Sequence, residues 1–165
     1  MKNFPMFLRM DGRRVVICGG GEEAARKCRL VLKTEAEIVV TGPIGDPELE
    51  GLIASGRVRH EAAPDARTFD GAALTFIATG CHAPDAALAC LARSAGAVVN
   101  VVDRPEVCDA FTPSIVDRDP VVVAIGTEGA APVLGRRIKT DIETMLPPRL
   151  GPFVALVGRL RGAVA

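Results

Sequence analysis

Short, almost wholly apolar runs alternate with helix-forming segments up to about residue 102, and no other feature limits the fold so strongly. Arg14-Val15-Val16-Ile17-Cys18 runs into Gly19-Gly20-Gly21 and then into residues 22–32, rich in Glu, Ala, Arg and Leu. That order reads as strand, tight turn, helix. Ile38-Val39-Val40 gives a second strand, Asp46-Pro47 opens a helix to about Ser55, and residues 57–60 form a short strand. Residues 72–78 and 97–102 supply two more, with a helix from Pro84 to Ala95 between them. A strand with no polar face must be covered on both sides, and right-handed crossovers put the helices there. The predicted fold class is α/β, a Rossmann-type doubly wound parallel sheet.

After Asp103 the pattern changes. Residues 111–116 and 121–125 are strand-like around the turn Asp117-Arg118-Asp119-Pro120, and residues 133–145 form an amphipathic helix. Pro147-Pro148 breaks the chain before an apolar helical segment, residues 150–164, whose only charges are Arg159 and Arg161. A strand pair with one helix is too small to build its own core. Its apolar positions, among them Val121, Val122, Val123, Ile125, Val133, Leu134, Ile138 and Ile142, exceed what a sheet already covered by helices can accept. Residues 111–146 are therefore predicted to be a small α+β dimerisation region that buries itself against a second copy, and residues 147–165 the start of a helical region.

Composition narrows the partners. Twenty Lys and Arg balance twenty Asp and Glu, so there is no field of positive charge for nucleic acid. A small-molecule partner is expected instead. Residues 1–10 contain no long apolar run, and no window reaches the roughly 18 apolar residues of a membrane span. This predicts no signal peptide, no membrane partner and a cytoplasmic protein. The five cysteines are widely spaced with no CxxC pair, and only His60 and His82 are available beside them, so no metal site is expected. Cys18, Cys28 and Cys90 read as small buried hydrophobes.

Chemistry enters at Gly19-x-Gly21-x-x-Ala24, the dinucleotide fingerprint in its required place between strand and helix. Gly19 permits the turn, Gly21 admits the pyrophosphate to the backbone, and Ala24 lets helix and strand approach. It makes residues 1–110 a predicted NAD-binding domain. No acid for the ribose hydroxyls, and no Arg for a 2′-phosphate, follows Val40 in Thr41-Gly42-Pro43-Ile44, which leaves NAD and NADP open on the motif. Asn100-Val101-Val102-Asp103 leaves the sheet at its carboxyl edge, where ligands bind. Asp103 reads either as a proton acceptor or metal-facing carboxylate, or as a cap for the turn before Pro105. Residues 126–132, Gly-Thr-Glu-Gly-Ala-Ala-Pro, form either an anion-binding loop or a plain helix start.

Phe4-Pro5-Met6-Phe7-Leu8, the glycine turn with Arg26-Lys27, Asn100-Val101-Val102-Asp103, residues 111–118 and residues 127–134 occur together and in order. In this the chain resembles the siroheme synthase family's precorrin-2 dehydrogenase and ferrochelatase module. The resemblance implies NAD-dependent oxidation of precorrin-2 to sirohydrochlorin, and in bifunctional members insertion of ferrous iron. It implies a homodimer, with Asp103 as the general base. It carries cofactor contacts onto Gly19, Gly20, Gly21, Glu22, Glu23, Pro43, Ile44 and Thr79, and substrate contacts onto Asn100, Ser114, Thr127 and Gly129. The loop at residues 127–131 is poorer in Ser, Thr and Gly than in relatives and adds the charge of Glu128. Two rival readings are a dinucleotide-sensing module without chemistry and a chelatase alone, with Asp103 and His82 facing the metal.

Overall fold

The computed structural model describes residues 1–164, with side-chain surroundings up to Arg161. The chain divides into two units, Phe7–Phe111 and a second formed by Met1–Met6 with the residues from Thr112 onward.

In the first unit, β1 (Arg14–Cys18), β2 (Glu37–Thr41), β3 (Arg59–Glu61), β4 (Ala72–Ile77) and β5 (Val98–Val101) form one sheet in the order β3-β2-β1-β4-β5. Every pairing is parallel. The order reverses at β1, whose neighbours are β2 on one side and β4 on the other, and this opens a crevice at the carboxyl ends of those strands. The helices α1 (Glu22–Val31), α2 (Pro47–Ala54) and α3 (His82–Ser94) connect the strands.

Successive side chains of a strand point to opposite faces, and the core follows that rule. Val15, Ile17, Ile38, Val40 and Phe76 pack with Ala24, Ala25, Cys28 and Val31 of α1 and Leu49 of α2. Val16, Cys18, Val39, Ile77, Val99 and Val101 pack on the other face with Phe69 and with Ala89 and Ala92 of α3. Val15, Val16 and Ile17 are wholly buried, so β1 is the centre of both layers.

Local chemistry sets the helix starts. Asp46 Oδ1 accepts the Glu48 and Leu49 N–H groups at 2.9 and 3.3 Å, and Pro47 opens α2 without losing a needed donor. α3 begins at His82, ahead of the Pro84 expected to open it. Pro84 falls in the first turn, where the N–H groups have no intrahelical acceptor, so the helix tolerates it. Cys90 is exposed, contrary to its expected burial, because it lies one position beyond Ala89 and is turned away from the sheet by the helical repeat.

In the second unit β6 (Ser114–Arg118) and β7 (Val121–Ile125) pair antiparallel, Val116 opposite Val123, and α4 (Pro132–Met145) and α5 (Leu150–Val164) follow. Val116 is fully buried. The Arg118 guanidinium donates to the carbonyls of Leu146 at 2.9 Å and Glu143 at 3.3 Å, satisfying acceptors that the end of α4 would otherwise leave open. Along β7, exposed Val122 and Ala124 alternate with half-buried Val121, Val123 and Ile125. Among the described residues no helix is long and apolar enough to cross a membrane.

Burial pushes the Cys18 and Cys28 thiols up to about 11. A thiol raised in the folded state stabilises fully below its unfolded value near 9.0, and loses that contribution as pH rises through 11. Thermal denaturation between pH 8 and about pH 11 should therefore show a falling Tm, on the order of 2–3 kcal/mol arising from Cys18. Cys28→Ala and Cys18→Ala, each compared with itself at pH 8, should flatten that fall.

Candidate dinucleotide-binding and catalytic site

At the carboxyl edge, the end of β1 is held by backbone on both sides. Gly19 N–H donates to Thr41 O at 2.9 Å, and Ala78 N–H donates to Cys18 O at 2.7 Å. Gly19 has φ +124, and a Cβ there would stand 2.3 Å from Ala78 O. At Gly20 a Cβ would stand 2.1 Å from Pro43 O, and the Gly20 carbonyl accepts the N–H groups of Gly45 and Asp46 at 2.9 and 3.0 Å. The two glycines are thus required by protein backbone. Gly21 differs: a Cβ there would meet nothing within 4 Å. The fingerprint reading gave Gly19 and Gly21 separate roles and left Gly20 without one, yet Gly20 carries the closest approach of the three.

Gly21 opens onto a cleft of about 410 Å³ lined also by Glu22, Glu23, Thr79, Asp85, Asp103 and Arg104. α1 begins here with Gly21 as its N-cap and no side-chain cap, so its first N–H groups point toward the opening. Arg26 holds the two acids of that turn, reaching Glu22 at 3.2 Å and Glu23 at 3.0 Å, which reduces their repulsion toward a phosphate. Glycine with free space above it, at a helix start with open donors, fits a dinucleotide pyrophosphate. Pro43 and Ile44 stand against Gly20 at the neighbouring strand end, half-exposed or exposed, and do not line this cleft.

Across the cleft lies Asp103, in the left-handed region at φ 59, a conformation costing a non-glycine residue on the order of 1 kcal/mol. It does not cap the short 3-10 turn Pro105–Val107, whose N-cap is Arg104. Among the described residues no hydrogen bond or ion pair reaches its carboxylate, and the residue lines the cleft. Burial pulls the Lys27 ammonium below the ordinary lysine range, opposed by the charges of Glu23, Cys108 and Asp103. Its Nζ sits 5.1 Å from the Phe76 ring centroid.

Thr79 lines the cleft, but its hydroxyl is already engaged. It donates to Asp85 Oδ1 at 2.6 Å and accepts the Cys81 N–H at 3.2 Å. Asp85 is 5% exposed, the single acid in the first turn of an alanine-rich helix. That isolated charge is its one signal in the sequence. Asn100 is buried, with its amide nitrogen donated to Ala110 O at 2.8 Å, and is not among the cleft residues. The remaining residues assigned to substrate are in the second unit. A side chain at buried Gly135 would meet Thr127 Cγ2 at 3.2 Å and Ser114 Oγ at 3.8 Å, so these two flank one point of α4. Gly129 is exposed in the loop before α4, which starts with Pro132 and has no side-chain cap. Glu128 in that loop accepts the Lys2 and Asn3 N–H groups at 2.6 and 3.2 Å.

The family model described as "Putative NAD(P)-binding" matches residues 6–114, and the chain belongs to that family. Among curated proteins it is similar to siroheme synthases: 39% identical to that of Methylobacillus flagellatus and 40% identical to siroheme synthase 1 of Aeromonas salmonicida. Each match takes in 99% of this chain and 35% of the relative, so the chain spans about a third of their length. Among solved structures it is similar in fold to "SirC, precorrin-2 dehydrogenase", with a TM-score of 0.75 and 23% identity over 96% of this chain and 79% of that one.

The glycines separate folding from binding. Gly20→Ala, whose Cβ would overlap Pro43 O, should lose about 3 kcal/mol in chemical denaturation. Gly21→Ala should keep its stability within about 1 kcal/mol, since its φ of −96 suits alanine, while its dinucleotide affinity falls at least about tenfold.

Proposed function

We propose that the chain is an NAD-dependent precorrin-2 dehydrogenase that makes sirohydrochlorin, with Asp103 as its general base. The observation that carries this reading is the open carboxylate of Asp103 in a left-handed turn across one cleft from the glycine turn and the start of α1. The similarity to siroheme synthases over 99% of the chain supports the choice of substrate.

Oxidation of precorrin-2 removes one hydride and one proton. Bound NAD supplies the hydride acceptor. The chain supplies the rest: backbone N–H groups at the start of α1 for the pyrophosphate, the Gly19–Gly20 contacts that fix the floor, and a carboxylate with open acceptors to take the proton at Asp103 Oδ. Pro43 and Ile44 are positioned by Gly20 to meet the adenosine end. The same carboxylate suits removal of pyrrole protons during metal insertion, and insertion assayed without NAD separates that activity from dehydrogenation.

Ser114, Thr127 and Gly129 of the second unit would be the residues that contact the tetrapyrrole, and the protein would work as a homodimer in the cytoplasm. Exposed Val133, Leu134, Val122 and Met145 in the second unit support pairing with a second copy, because each leaves apolar area in water.

Under anaerobic conditions with precorrin-2 and NAD, Asp103→Asn should lower kcat by about 10²–10⁴-fold and leave the NAD Kd within about twofold. Wild-type turnover by this variant would remove Asp103 as base. Light scattering should report a dimer, and Val133→Asp with Leu134→Asp should yield monomer; a wild-type mass near the 17.3 kDa of one chain would defeat the homodimer reading.

A further inference from the structure

The chain does not simply run off the end of β5 into the cleft. It leaves at Val102, turns through Asp103 and the 3-10 turn, and comes back along the strand it left. Asp109 N–H donates to Val99 O at 2.8 Å, and Asp109 Oδ2 accepts Val99 N–H at 3.1 Å. The Arg93 Nε–H donates to the same carboxylate at 3.0 Å, and the Asn100 amide ties down Ala110 O. The excursion that carries Asp103 is therefore closed at its base.

Inside that loop stands Cys108. Its sulfur accepts the Val101 N–H at 3.2 Å, and its S–H faces the carbonyls of Val101 and Arg104, each at 3.2 Å. One thiol thus bonds the backbone on both sides of Asp103. Burial raises the Cys108 pKa, so at neutral pH the group keeps the proton it needs to donate. Sulfur also reaches further than a serine oxygen from the same Cβ, and spans both carbonyls from one position.

We infer that Cys108 is a positioning residue, whose thiol holds the Val101–Arg104 turn so that Asp103 stays in its left-handed conformation and presents its carboxylate to the cleft. The inference rests on the reading of Asp103 as base. A misplacement near 1 Å of a reacting group lowers rates by as much as about 10²-fold, so a loosened turn is felt in the chemical step before it is felt in cofactor binding. Asp109 closes the same loop at its base, the Asn100 amide donates both to Ala110 O and, at 3.6 Å, to the Cys108 sulfur, and Cys108 is the side chain that bonds the backbone on both sides of Asp103.

The test is a double-mutant cycle on the whole chain with precorrin-2 and NAD. Cys108→Ala should lower kcat at least about tenfold with the NAD Kd within about twofold, and Cys108→Ser should recover part of the loss. In an Asp103→Asn background the same replacement should cause no further fall, because it acts through the missing carboxylate. Wild-type kcat in Cys108→Ala, or an equal fall in both backgrounds, overturns the inference. Should Cys108→Ala fail to fold, Cys108→Val, which has no donor or acceptor either, carries the cycle with the same criteria. Amide hydrogen exchange gives a readout independent of turnover: the Val101 and Arg104 N–H groups should exchange faster in the variant while those of β1 do not change. If the wild-type chain does not oxidise precorrin-2, the functional reading fails by itself, and unchanged exchange at Val101 and Arg104 is then what refutes the clasp.

Discussion

Backbone touches backbone at Gly19 and Gly20, and the arrangement of the first unit depends on that contact. Three strand ends, those of β1, β2 and β4, are drawn together within hydrogen-bond distance through Thr41 O, Cys18 O and Gly20 O. No side chain fits between them. Close packing of this kind transmits position without slack. The cleft exists because the three chains then part company, β1 into α1, β2 into the loop before α2, and β4 toward Thr79. Their divergence is a result of sheet order, and the carboxylate opposite is brought in by the next strand along, β5.

The contrast between Gly20 and Gly21 shows two reasons for having no side chain. One glycine is enclosed by protein and the other is open to a cleft, so the same residue type is fixed by the fold at one position and leaves room for a ligand at the next. Asp103 shows the opposite economy. It adopts an unfavourable backbone conformation although glycine would be easier there, and the proposed role as base would call for a carboxylate at that point. The strain is contained by a loop whose base is tied at Val99 and whose interior is spanned by one sulfur.

Much of this was legible in the sequence, for physical reasons that can be named. Strands buried on both faces, such as Val15-Val16-Ile17, have no polar alternation, and that continuous apolar signature led directly to a parallel sheet. The hairpin of β6 and β7 was legible because Asp119-Pro120 interrupts two apolar runs. What was not legible depends on contacts distant in sequence or on the direction of a side chain. Periodicity says that Cys90 lies on a helix and not which way it turns. Thr79 was marked for the cofactor, but nothing in the sequence pairs its hydroxyl with Asp85. Nothing in the sequence marks Cys108, since its bonds to Val101 and Arg104 go to backbone groups, which carry no sequence identity, and its side-chain partner Asn100 is eight residues away. The Glu128 charge stood out, and the two N–H groups that donate to it, at Lys2 and Asn3, were invisible because they belong to the opposite end of the chain.

The loop between β2 and α2 has one more property, which concerns redesign. Gly45 and Asp46 both donate to the Gly20 carbonyl, while Asp46 simultaneously caps α2 with its side chain. Residues 42–46 are thereby pinned at one end by a strand and at the other by a helix start and a glycine carbonyl. Lengthening this loop by a single residue would take one of those donors out of register, so its length is fixed by geometry. If Pro43 and Ile44 meet the adenosine end of a dinucleotide as proposed, retuning that recognition is left with those two side chains, and with no freedom in the path of the chain itself.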